Sequence, residues 1–94
     1  GTIVAGGKLK DTGTTHWDSP NTGATNETGF TALPGGSRTI NGTFLNIGSD
    51  GGWWSATESS APYAWHRIVY DDISDVNRNY FNKELGFSVR CVRD

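Results

Sequence analysis

Methionine is absent from this 94-residue chain, cysteine occurs once, and proline occurs three times. Each shortage excludes something. With 34% hydrophobic residues aliphatic packing is thin. A chain of this length buries only about 60–65% of the surface its unfolded form exposes, so it is expected to form one domain, residues 1–94, around one small core. No stretch approaches the roughly 20 apolar residues of a membrane-spanning helix, so no membrane insertion is expected of this segment. The N-terminus also lacks the charged and apolar regions of a signal peptide, so the targeting segment of an exported protein would lie upstream of Gly1. Lys and Arg are scattered and the formal net charge is −2. That pattern supplies none of the basic footprint that nucleic-acid binding needs. The lone Cys91 has two readings, a small buried hydrophobe or a thiol whose disulfide partner lies in a segment outside this chain. A nucleophilic role is disfavoured because no base accompanies it.

What the chain does have is aromatics and glycine. Four Trp, four Phe and three Tyr must supply much of the buried area, and 13 Gly among many Thr, Asn, Ser and Asp indicate tight turns and long loops. The expected fold class is mainly β with long irregular loops. Residues 1–36 are punctuated every few positions by Gly, Pro, Asn and Asp and read as ordered loop, with Trp17 and Phe30 as anchors on the core. No helix is expected beyond a helical turn over 82–85. Asn41-Gly42, between 38–40 and 43–45, predicts a hairpin with a two-residue type I′ turn. Strands are expected over 53–57, 63–70, 76–81 and 85–92, where aromatic and β-branched residues alternate with polar ones. In the last of these Phe87, Val89 and Cys91 would share one face.

Several partial motifs fail on spacing. The run from Asp75 to Asn79 opens like an EF-hand loop, but Tyr80 stands at the sharp-turn glycine and Gly86 at the bidentate glutamate. Ala5 to Lys8 resembles a phosphate loop, yet Leu9 replaces the hydroxyl residue, and it reads as a turn. His16 and His66 could be set beside Asp71, Asp72 or Ser55 on paper, but no nucleophile-elbow spacing is present. Two His and one Cys offer few ligands for zinc. No catalytic residue, metal or cofactor is therefore expected.

Two stretches, AGGKLK (5–10) through GFTALPGG (29–36), and GWWSATE (52–58) with GFSVRCVRD (86–94), resemble the FISUMP (fibrobacter major paralogous) domain. The resemblance covers nearly the whole chain. It implies a C-type-lectin-like antiparallel sheet, related to the formylglycine-generating enzymes, on exported or outer-surface bacterial proteins including lipoproteins. It implies no activity. Complete members carry a further N-terminal half, so the chain is expected to be the C-terminal portion of the fold, with a homodimer or domain swap among its expected states. The enzyme relatives need two closely spaced cysteines, which are missing here. The lectin calcium motifs, Glu-Pro-Asn-like and Trp-Asn-Asp-like, are also missing.

The expectation is a non-catalytic, extracytoplasmic binding or display module that recognises a glycan or protein ligand. The residues set out for that role are Trp53, Trp54 and Trp65, with Asp71, Asp72, Asp75, Asn77, Arg78, Asn79 and Tyr80 from a polar stretch suited to adaptable contacts. A structural cap or spacer is the alternative, and an enzyme the third reading.

Overall fold

In the computed structural model, which describes residues 2–90, a short helix α1 (Thr2–Leu9) leads into a long ordered loop. A two-stranded ribbon follows, β1 (Ser37–Arg38) with β2 (Phe44–Leu45), then a three-stranded antiparallel sheet, β3 (Asp50–Ser60), β4 (Tyr63–Tyr70) and β5 (Val76–Asn82), in the order β3-β4-β5. The expected mainly β class and the central strands are found. Cys91 and the two readings of it lie outside the described residues.

Three expectations are corrected. The first is α1, where a turn was expected because each Gly in a helix costs about 1 kcal/mol relative to Ala. Tertiary contact overrides that cost. A Cβ on Gly6 would stand 2.0 Å from the Asp75 carbonyl oxygen, and one on Gly7 2.3 Å from that of Gly23. Only bare backbone lets the helix come this close, and the Gly7 amide then donates to the Ser74 carbonyl at 2.9 Å. The second is the hairpin register. Arg38 pairs with Phe44 and Ser37 with Leu45, one residue off the two-residue turn. The Gly42 amide donates to Thr39 O at 3.0 Å, and Gly42 has φ of 91°. This is a three-residue loop closed by a left-handed glycine. The third is the segment 85–92, which forms no regular strand within the described residues. It is held by an antiparallel bridge between Gly86 and Arg38 and a parallel one between Ser88 and Trp53. At the described residues beyond Ser88, Val89 and Arg90, no ladder imposes the pleat, and Val89 is 74% exposed.

The loop after α1 is fixed from within. Trp17 is buried and donates its indole N–H to Ala32 O at 2.9 Å, while Ala32 bonds Leu9 O at 2.9 Å through its amide. Trp17, Ala32 and Val69 form the core, with Leu9, Phe30, Trp53 and Val76 packed on it. Trp17 and Phe30 are thus the anchors the sequence predicted. Lys10 is fully buried beside them. Its three ammonium protons find Thr22 O at 2.8 Å, Tyr70 O at 2.7 Å and Ile73 O at 3.1 Å, and the ammonium stands 5.4 Å from the Trp17 ring centre. Burial holds the Lys10 pKa below its ordinary value, with Asp71 and Asp72 pulling the other way. This single side chain ties the N-terminal loop to the end of β4 and to the turn after it.

Candidate functional site

Strand alternation sorts the sheet into two faces. Register pairs Trp54 with His66 and Gly52 with Ile68, and His66 with Asn79 and Ile68 with Asn77, so these residues share one face. Trp53 with Arg67, Arg67 with Arg78, and Trp65 with Tyr80 share the other. The sequence-predicted residues therefore do not form one group.

On the first face His66 is fully buried in an aromatic cage. Its ring centre lies 4.6 Å from those of both Phe81 and Phe87, and Trp54 packs edge-on against Phe87 at 4.9 Å. Nδ1 lies 3.2 Å from Asn79 O. That carbonyl can only accept, so Nδ1 carries the proton and Nε2 is a buried acceptor without a hydrogen-bond partner among the described residues. Burial lowers the His66 pKa, which keeps the ring neutral. A cavity of about 360 Å³ lies beside it, lined by Ile68, Tyr70, Asn77 and Asn79 among others. The other histidine, His16, is on the surface with Nδ1 3.1 Å from an Asp11 carboxylate oxygen. The two are not brought together, and among the described residues no group of three His, Cys, Asp or Glu is placed to hold a metal ion.

The second face carries a continuous row of large side chains, exposed except for the half-buried Trp65 at its middle. The Arg78 guanidinium stacks 3.7 Å from the Trp65 ring centre. Trp65 meets Tyr80 edge-to-face at 5.2 Å, and Tyr80 meets Tyr63 at 5.8 Å. Tyr80 is 50% and Tyr63 39% exposed. The row arises because residues 63, 65 and 67 of β4 stand opposite 82, 80 and 78 of β5, and each edge-to-face contact fixes the next ring. Beyond Arg67 the same face descends into an apolar cleft of about 330 Å³, walled by Leu9, Phe30, Trp53 and Val69 among others.

Of the expected site residues, Trp65, Arg78 and Tyr80 thus stand together. Trp53 and Trp54 point to opposite faces, as the alternation implied, and both are half-buried. Trp53 packs on the core against Phe30 at 5.7 Å. Asn77 and Asn79 lie across the sheet from the row. Asp71, Asp72 and Asp75 lie at its far end in a structural turn. The Asp71 amide and carbonyl bond Ser49 O at 2.9 Å and the Thr22 amide at 2.8 Å, and the Asp75 carbonyl lies in close contact with Gly6. Residues 76–81, expected as a strand, form most of the edge strand β5. Sequence reasoning missed Tyr63 and Arg67, although their same-parity spacing with Trp65 inside a predicted strand was the available signal. The sequence profile described as the Fibrobacter succinogenes major domain matches residues 1–93, in agreement with the resemblance noted above. No curated protein and no solved structure matches the chain.

Proposed function

We propose that this chain, which belongs to the Fibrobacter succinogenes major domain family, is a non-catalytic binding module whose ligand lies on the exposed face of Tyr63, Trp65, Arg78 and Tyr80. The observation that carries this reading is the stacked row itself. Four large side chains hold one another in place at the surface, so little rotamer entropy remains to be lost when a ligand arrives. Flat rings with polar tips suit both the apolar faces of sugar rings and their hydroxyls.

The module acts outside the cytoplasm on a bacterial surface protein such as a lipoprotein, and its sheet and long ordered loops are the C-terminal part of a C-type-lectin-like fold. Support for both comes from family membership together with a small antiparallel sheet flanked by loops pinned through Trp17. The non-catalytic reading is supported by the positions of His16, paired with Asp11 at the surface, and His66, caged among aromatic rings.

A glycan array and a panel of envelope proteins, probed with the chain and with Trp65→Ala, Tyr80→Ala and Phe44→Ala variants of verified fold, test the proposal. Binding lost in the first two and kept in the third is the expected result, since Phe44 is exposed on the distant β1–β2 ribbon. No binding to any probe, or binding insensitive to Trp65 and Tyr80, would favour a structural spacer.

A further inference from the structure

The aromatic row ends at two arginines that form no ion pair among the described residues. Arg67 and Arg78 are direct cross-strand partners on one face, an arrangement in which like charges destabilise a sheet. Both are exposed. Among the described residues the ion pairs are His16 with Asp11 and Lys83 with Glu58, so neither guanidinium meets a carboxylate. The contact from Arg67 is a long one, 3.5 Å from Nη1 to the His66 carbonyl. Arg78 lies flat on Trp65, which fixes its fork without neutralising it. Two exposed arginines at paired positions, without a carboxylate partner among the described residues, offer an anion two guanidinium forks on a chain whose net charge is −2.

Resting on the reading of this face as a binding site, we infer that the ligand is an acidic glycan. Its sugar rings stack on Tyr63 and Tyr80, the exposed rings that Trp65 holds in place, and its carboxylates are held by Arg67 and Arg78. Guanidinium and carboxylate match as paired, charge-assisted hydrogen bonds. From Tyr63 to Arg67 the strand runs about 14 Å at ~3.4 Å per residue, which gives an oligosaccharide room to lie along the row. An acidic peptide is the less suited occupant. A peptide gains most from main-chain bonds to a strand edge, whereas these side chains stand on the face.

Calorimetric titration of the chain with an oligogalacturonate, with the same oligomer methyl-esterified, and with a poly-glutamate peptide tests this. The acidic oligomer is expected to bind about tenfold or more tightly than the esterified one, the scale of one charged hydrogen bond, and to weaken as salt is raised. Arg67→Gln and Arg78→Gln, each with wild-type melting, should each narrow that gap. Arg67→Gln is the cleaner variant because Arg67 stacks on no ring. Equal affinity for the two oligomers, unchanged by Arg67→Gln, would overturn the acidic ligand and leave the binding face standing. Tighter binding of poly-glutamate would overturn the glycan. Binding of none of the three would overturn this inference, and the array described above would then decide the fate of the face itself.

Discussion

Replacing Lys10 by Met keeps the length and apolar stem of the side chain and removes its three donors. Thr22, Tyr70 and Ile73 would each lose the ammonium that their carbonyls now bond at 2.7–3.1 Å. A buried acceptor left without a donor costs about 1–3 kcal/mol. The contact with the Trp17 ring is worth about 0.5–1 kcal/mol more. Against these stands the relief of no longer burying a charge, the cause of the lowered Lys10 pKa. The net loss is expected to be about 3–5 kcal/mol, since three carbonyls lose their donor at once and only part of that is offset. For a chain this small, total stability is about 5–14 kcal/mol, so Lys10→Met would sit near the edge of folding. Thermal melts followed by tryptophan fluorescence should show a Tm lower by about 12–40 °C, at about 4–8 °C per kcal/mol. A variant within about 1 kcal/mol of wild type would refute the idea that this side chain clamps the loop to the sheet.

Gly6→Ala would drive a Cβ to 2.0 Å from the Asp75 carbonyl oxygen, and backbone must move to admit it. Urea unfolding is expected to show a loss of about 2–3 kcal/mol, where an ordinary helix site would gain stability from alanine. His66 should make the fold sensitive to acid. Its pKa is lowered by burial from the ordinary 6.5, so as pH falls below that value the unfolded chain takes up a proton that the folded one refuses. Stability is then full above 6.5 and falls with a slope of up to about 1.4 kcal/mol per pH unit, until pH drops below the lowered value. Asp50, whose pKa burial raises from 3.8, works in the opposite sense at lower pH, because the folded chain holds that proton more tightly. Comparing His66→Phe with wild type between about pH 5 and 6.5 isolates the histidine, and equal slopes in the two proteins would contradict the caged, neutral ring.

Strands β4 and β5 were legible because their aromatic and β-branched residues come without glycine or proline, and residues 63–70 form β4 as read. Trp17 and Phe30 were legible as anchors because large apolar side chains isolated in a polar loop have few other places to go. Helix α1 was hidden because glycine argues against a helix locally, while what favours it is the backbone at Asp75, far along the chain from Gly6. Lys10 gave no sign of being buried, since lysine is ordinarily exposed and its three acceptors are carbonyls that sequence does not distinguish. For the candidate site, the residue types were visible and their grouping was not. Adjacent positions such as Arg78 and Asn79 go to opposite faces, and the row formed only when register set Trp65 against Tyr80 and Arg67 against Arg78.

The most direct test of the binding face is NMR shift mapping of backbone amides and tryptophan indoles, with the chain titrated by any glycan that the array identifies. The account predicts that the largest perturbations gather at Tyr63, Trp65, Arg67, Arg78 and Tyr80, with the Trp17 indole unmoved in the core. Shifts gathered instead around His66, Asn77 and Asn79, or on the β1–β2 ribbon, would contradict it and move the ligand to another surface.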